Sequence, residues 1–463
     1  MNVSDIRERI SVMASRDPAL VLGVLAIIYL AYIVAGLIFG YALRGHLNSL
    51  SNLTFYIGVF AMLALALNLH WGYTGLFNIG VVGFMGIGVY VTAIVSKPPV
   101  AQGGAAQVGG LGLPLGVGVV AGVLAAALFG LLVGLPALRL RADYLAIVTI
   151  AFSEIIRFTM MSRTFQTFTV PDTIDVAVFG VELFSFDPAA DTVGLGGGGG
   201  LILNHLPPLG ALLRWLHLWE PYLGFVGWVQ ANFIANNPKP VVDSLVYGIV
   251  LLIVVGLYYW LLTWTGESPF GRVLKAIRED EDVANALGKD TNRFKLKSFV
   301  LGCALMGLAG ILWYSGRGSI TPPSFRPNIT FYVWIALIIG GAGSNTGSVL
   351  GGAVFAALLY EGPRYFKNLV EAAFNVGDGP GNFGQAMAAM GSLDPVPFFV
   401  YTLNSINQLR LVIMGLVLIW LMHNRPLGML GHRKETAASI DLSRPEGTGT
   451  TDDAVAADGG EQQ

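Results

Sequence analysis

The sequence predicts an all-α fold, a polytopic transmembrane helical bundle of about 8–10 spans with a broken or re-entrant helix pair and one helix on the cytoplasmic surface. Three observations carry this reading. Charged residues make up only 12% of the chain, about half of the roughly 25% usual in soluble globular proteins. Apolar residues reach 54% and the mean hydropathy is +0.64, more apolar surface than a soluble domain can hide behind a polar exterior. Long uncharged runs recur along the chain, and at about 1.5 Å per residue about twenty residues cross a hydrocarbon core of roughly 30 Å. The net charge of −2 gives no attraction to nucleic acid, and the single cysteine, Cys303, cannot form an internal disulfide.

Residues 1–18 mix Asp5, Glu8 and Asp17 with Arg7, Arg9 and Arg16, and the apolar run from Ala19 is too long for a signal-peptide core. It reads as the first span, 19–43. Further spans are predicted at 51–69, 74–95, 111–136, 142–160, 241–265 and 295–314. Glycines split the run at 330–360 into a hairpin or re-entrant pair, and a last span falls at 399–422.

Basic connections set the orientation. Arg139 and Arg141 separate the fourth and fifth spans, seven Lys and Arg residues crowd 266–297, and Arg425, Arg433 and Lys434 follow the last span. Counting from a cytoplasmic N-terminus puts every one of these clusters on the cytoplasmic side, with both termini inside a cell (inner or plasma) membrane. The integral-membrane part is then 1–434, with external insertions at 161–240 and 361–398. The first insertion holds a glycine run, Gly196 to Gly200, and a segment bearing Trp215, Trp219 and Trp228 that suits the membrane interface. The polar, acidic stretch 435–463 reads as a disordered cytoplasmic tail.

Four segments stand out chemically. The connection at 267–289 carries a predicted amphipathic helix, with Ser268 as N-cap, Pro269 in its first turn and Gly288 as its stop. Val273, Ile277, Ala284 and Leu287 fall on one face, and Arg272, Lys275, Glu279 and Asp282 lie elsewhere. Such a rod is either a knob gripped by a soluble partner, through apolar anchors and flanking charges, or an ordinary solvated surface helix. The second segment, Leu67 to Gly80, is a glycine-rich polar break between apolar runs, containing Asn68, Gly72, Tyr73, Gly75, Asn78 and Gly80. Irregular backbone at membrane depth is tolerated where protein or a water-filled cavity surrounds it, so the break either lines a route or makes a tight turn. In the third, Leu138 to Arg157, Asp143 can pair with Arg139 or Arg141, while Glu154 and Arg157 lie three apart inside a span. Charges at that depth face a bundle interior, where they serve either a route or a structural ion pair. The fourth, Gly340 to Gly347, includes Gly341, Gly343 and Ser344; no Lys follows its glycines, which rules out a phosphate-binding loop.

These segments resemble the permeases of branched-chain amino acid ABC importers, the LivM-type branch of the hydrophobic amino acid uptake family. Gly271, Arg272, Ala276, Ile277, Arg278, Glu279, Asp280, Glu281, Ala284 and Gly288 match that family's cytoplasmic coupling loop, G-R-x-x-x-A-I-R-E-D-E followed by A-x-x-x-G. The second segment is similar to its L-N-L-x-x-G-Y-x-G-x-x-x-x-G signature, the third to L-R-L-R-G-D-Y-L-A-I-V-T with Ala142 where Gly is usual, and the fourth to G-G-x-G-S-x-x-G. The resemblance covers roughly 50–160 and 241–430; the two insertions and the tail have no counterpart in it.

What the resemblance implies is a transport subunit with no catalysis and no cofactor of its own, ATP and Mg being held by partner ATPases. The six His residues are scattered, and no nucleotide-binding or hydrolase motif appears. Implied partners are a second permease of related fold, two ABC ATPases gripping the coupling loop, an external solute-binding protein and the lipid bilayer. Asn68, Gly72, Tyr73, Gly75, Asn78, Gly80, Glu154, Arg157, Gly341, Gly343 and Ser344 become candidates for the translocation pathway. A urea or short-chain amide permease of the same family, and a lone ion-coupled secondary transporter, are the alternative readings; a coupling helix has no job in the latter.

Overall fold

The structure, a computed structural model, describes residues 3–430 apart from 99–107, 141, 170–173, 179–180, 187–191, 203–207, 235, 375–378, 392–393 and 426–427. Arg141, Arg433, Lys434 and the predicted tail at 435–463 lie outside the described residues.

Helix α1 (Val3–Ile38) and α2 (Leu43–Asn68) open the chain, and α2 runs on through a π-helical turn at Leu69–Tyr73. Then follow α3 (Val81–Ser96), α4 (Leu115–Ala137) and α5 (Ala142–Met161). The first insertion forms short strands β1 (Phe168–Thr169), β2 (Ile174–Val178), β3 (Val181–Phe186), β4 (Thr192–Val193) and β5 (Leu201–Ile202), with helices α6 (Pro208–Trp215) and α7 (Trp219–Asn232). Helices α8 (Lys239–Glu267), α9 (Pro269–Glu279), α10 (Glu281–Ala286) and α11 (Thr291–Ser315) come next, then β6 (Ser319–Ile320). The chain closes with α12 (Asn328–Gly340), α13 (Asn345–Val354), a π-helical stretch at Phe355–Tyr360, α14 (Gly362–Phe374), α15 (Phe383–Gly391), α16 (Val396–Asn404) and α17 (Ile406–Asn424). Among the described residues six helices are long and apolar enough to cross a membrane, and two bent pairs bring the number to eight. The 16-residue α3 is apolar but shorter.

Helix α2 is the central post. Residues 57–70 are buried all round, as a helix with no polar face requires, and α8, α11, α12 and α13 pack around it. Helices α3, α4 and α11 form a second tight group. Small residues set its spacing: a Cβ built on Gly88 falls 2.6 Å from the Gly307 carbonyl oxygen, and one on Gly310 falls 2.6 Å from Met85 Cα. Such backbone approach is how helices associate where lipid offers no hydrophobic contrast. The outer helices turn apolar side chains outward, among them Leu22 and Ile27 on α1, Leu124 and Leu128 on α4, and Trp260 and Trp264 on α8. A surface of that kind belongs in hydrocarbon.

The connections sort to two ends of the bundle. The insertion, the α3–α4 connection and the α11–α12 connection meet at one end: β5 pairs with β6, and Gly109 bridges to Val193. At the other end lie α9, α10, the end of the α2 turn and the α12–α13 break, the separation the charge pattern requires.

In and beside the insertion, β1–β4, β2–β3 and β5–β6 form three two-stranded antiparallel sheets, and the β-branched residues of Ile174–Val178 suit the longest of them. Three expectations are corrected. The spans predicted at 51–69 and 74–95 divide differently, because helical geometry persists to Tyr73 and resumes only at Val81. The last span is bent by 78° between α16 and α17, where Asn404 and Ser405, both poor helix-interior residues, interrupt it. The single surface helix over 268–288 is in fact two, since Asp280 is extended (φ −157°, ψ 109°) and its carboxylate accepts from Val283 N at 3.0 Å, capping α10.

Replacing Gly88 by Leu should cost about 1–3 kcal/mol by overpacking and lower the thermal midpoint in detergent. Gly415→Leu, whose Cβ meets nothing within 4 Å, should leave the midpoint unchanged.

Candidate functional site

The bent pair and the α2 turn meet in one place. Helix α12 ends at Gly340, the chain passes Gly341 (φ +101°) and Gly343 (φ +94°), and α13 starts at Asn345, the two legs being bent by 119°. Both glycines hold left-handed backbone that side-chain-bearing residues rarely adopt. Ser344 caps α13, its hydroxyl accepting from Gly347 N at 3.0 Å.

Asn68, fully buried on α2, joins the two breaks. Its Oδ1 accepts from Gly343 N at 2.8 Å, and its Nδ2 donates to Asn345 Oδ1 at 3.1 Å. Asn345 Nδ2 in turn donates to Thr263 Oγ1 on α8 at 3.2 Å. Gly72 stands opposite: a Cβ there would run into the Asn68 amide and fall 2.5 Å from Gly343 N. Glycine at 72 is what lets the break approach the α2 turn.

The surface helices reach this same place through Arg278. Its Nη1 donates to the Gly72 carbonyl, while Nε and Nη2 bond Glu279 Oε1 at 3.2 and 2.6 Å. Its side chain also lies 3.3 Å and 3.1 Å from Cβ positions built on Gly75 (φ +75°) and Gly343. Thus one guanidinium from α9 touches the α2 turn and the α12–α13 break together. The π-helical turn supplies the carbonyl, since changing the helical register frees groups that an α-helix would pair.

The rest of the glycine-rich segment is braced to other helices. His70 Nε2 lies 3.0 Å from the Phe299 carbonyl, which can only accept, so Nε2 carries the proton; Nδ1 then accepts from Asn78 Nδ2 at 3.2 Å. Asn78 Oδ1 accepts from Gly80 N at 2.7 Å, and Trp334 Nε1 donates to the Asn78 carbonyl at 3.1 Å. Tyr73 is buried against α8, where a Cβ on Gly266 would fall 2.7 Å from its hydroxyl, and Gly80 packs equally close to the Thr149 carbonyl. Glu154 and Arg157 form an ion pair on α5 through Nε contacts of 3.1 and 3.0 Å. No contact joins that pair to the breaks among the described residues.

Helices α9 and α10 divide into inward and outward faces. Gly271, Leu274, Ile277 and Ala284 are buried within the chain, whereas Arg272, Ala276, Glu279, Asp280, Asp282, Val283 and Leu287 are exposed. Leu287 is 74% exposed and Val283 54%. Ile277 and Ala284 therefore seat the rod on its own bundle, and Val283 and Leu287 are the apolar groups left facing out. Glu281 ties α10 to α11 through Lys295 Nζ at 2.6 Å and Thr291 Oγ1 at 3.0 Å. Gly288 (φ +77°) ends the unit in the left-handed turn expected of a helix stop.

Asn345, His70, Trp334 and Thr263 were not singled out in the sequence. Asn345 sat inside the fourth motif beside Ser344 and His70 inside the second, where a signal existed; Trp334 and Thr263 in apolar runs carry none. Asn68→Ala removes two bonds and leaves the Gly343 amide without its acceptor, so stability should fall by about 1–3 kcal/mol. Hydrogen exchange at Gly343 should accelerate in the same variant; unchanged protection there would contradict the role given to Asn68.

The family described as "Branched-chain amino acid transport system / permease component" matches residues 49–422. The high-affinity branched-chain amino acid transport system permease protein LivM of Escherichia coli (strain K12) is 31% identical over 300 residues, covering 63% of this chain and 58% of the relative. Its Salmonella typhimurium counterpart is 30% identical over the same shares. A LivH permease of Escherichia coli is 34% identical over 88 residues, 19% of this chain and 28% of the relative. The chain thus spans little more than half the length of the LivM relatives it matches. No solved structure matches it. With residues 49–422 falling inside one family and that stretch holding both helix breaks and the paired surface helices, the chain belongs to the branched-chain amino acid transport system permease family, as a multi-pass membrane protein.

Proposed function

We propose that the chain is one permease subunit of an ATP-driven importer of branched-chain amino acids, paired with a second permease of related fold. ATP and Mg are held by two separate ATPases, and an external solute-binding protein delivers the ligand. In this scheme the N-terminus and the α9–α10 end face the cytoplasm and the insertion faces outward. Val283, Leu287 and Ala276 anchor an ATPase, and Arg272, Glu279 and Asp282 set its register. Movement of the rod pulls on Gly72 and Gly343 through Arg278 and shifts the bent pair against α2, which changes access to the pathway. Glu154 and Arg157 line that pathway from α5, on a helix that also exposes Tyr144, Ile147 and Ile155.

One observation carries the reading: a charged surface rod keeps apolar groups turned outward while its own Arg278 bonds the α2 turn and lies against the α12–α13 break. A lone secondary transporter gives such a rod nothing to do.

Leu287→Asp should abolish co-purification of the ATPases while the permease still elutes as a folded species, because Leu287 meets no core. Ile277→Asp, placing a charge in the bundle, should instead cost several kcal/mol and reduce recovery of the permease itself. ATPases retained on Leu287→Asp would overturn the docking assignment.

A further inference from the structure

The end of the bundle opposite α9 and α10 holds a polar cavity of about 200 Å³, between the α1–α2 turn and the start of α14. Helix α2 and its π-helical turn separate the two places: Leu43 stands beside the cavity and Tyr73 beside α9, at the two ends of a 31-residue helical stretch, about 45 Å apart at helical rise. Tyr41, Asn48, Asn52, Glu361, Arg364 and Asn368 line it.

Two of these groups are unusual. Glu361 is 5% exposed, and among the described residues its carboxylate receives no hydrogen bond and no ion pair. Arg364, three residues on, is exposed, borders the same cavity and attracts Glu361 electrostatically without a hydrogen bond or ion pair to it. The neighbouring arginines are engaged elsewhere. Arg317 donates to the Tyr56 hydroxyl at 3.0 Å, and Arg410 donates to the Tyr360 carbonyl at 3.1 Å. A buried carboxylate that receives no hydrogen bond is costly even beside cations, and an acid and a base bordering one small polar space are complementary to a ligand carrying both charges.

We propose that this cavity binds the zwitterionic end of a free amino acid, its ammonium against Glu361 and its carboxylate against Arg364. Asn48, Asn52 and Asn368 supply amide donors and acceptors, and the ring of Tyr41 offers an apolar wall to the side chain. Resting on the importer reading, the cavity is a first holding site on the face where the receptor releases its ligand.

The test uses the assembled transporter, permeases with ATPases, in lipid nanodiscs without the solute-binding protein. Equilibrium binding of radiolabelled L-leucine should be saturable, and Glu361→Gln and Arg364→Gln should each weaken it about tenfold or more, the loss of a charge-assisted hydrogen bond. Glu361→Asp should retain part of the affinity. L-leucinamide, lacking the carboxylate, and 4-methylpentanoate, lacking the ammonium, should compete at least about tenfold less well than leucine. Absent saturable binding, equal affinity in both neutral variants, or equal competition by either analogue overturns the proposal. Should the variants fail to assemble, the competition series on the unaltered protein decides. Co-purification of the ATPases in the same sample reports on the subunit assignment separately, so leucine failing to bind a complete complex counts against this cavity alone.

Discussion

A helix interrupted inside an apolar bundle frees backbone groups that water cannot reach, and each must find a partner. Here α2 leaves its α-helical register at Leu69 and the α12–α13 pair breaks at Gly341. Two side chains answer most directly. Asn68 takes the Gly343 amide, and Arg278 takes the Gly72 carbonyl. Because Arg278 comes from α9, a surface helix is built into the solution. The rod cannot shift without disturbing a bond that the α2 turn makes.

The same logic explains where glycine is needed. Gly72 admits the break against the α2 turn, and Gly341 and Gly343 turn the chain through backbone angles closed to larger residues. Elsewhere close packing alone decides. Gly88 against Gly307 holds α3 on α11, a contact that belongs to stability and has no bond to the breaks.

Much of this was legible in the residues. Composition indicated the class, and the long apolar runs located α4, α5, α8 and α11 to within a few residues, because a hydrocarbon core demands length and little else. Ser268, Pro269 and Gly288 marked the ends of the surface rod by their own backbone preferences. Its interior break did not show, since Asp280 is as readily read as one more solvated charge as a cap. The apolar face was also assigned too simply. Val273, Ile277, Ala284 and Leu287 share a helical period, yet with two helices Ile277 and Ala284 face the bundle and Leu287 faces away. The sheets of the insertion left little signature, since β1, β4 and β5 are two residues each and β2 and β3 only five and six. The reach of Arg278 to Gly72, 206 residues distant in sequence, had no local signature; only the proximity of three motifs in space reveals it.

In the proposed importer, the outward groups Ala276, Val283 and Leu287 receive the motor, and the Arg278 guanidinium on α9 transmits its movement. These functions are separable, since Leu287 follows α10 whereas Arg278 lies on α9. The most direct measurement compares leucine uptake per ATP hydrolysed in proteoliposomes bearing the unaltered transporter and its Arg278→Met variant. The variant should keep its ATPases and hydrolyse ATP, while uptake per ATP falls about tenfold or more, the worth of one hydrogen bond to a charged group. An unchanged ratio would show that the rod moves the breaks by some other contact, or not at all.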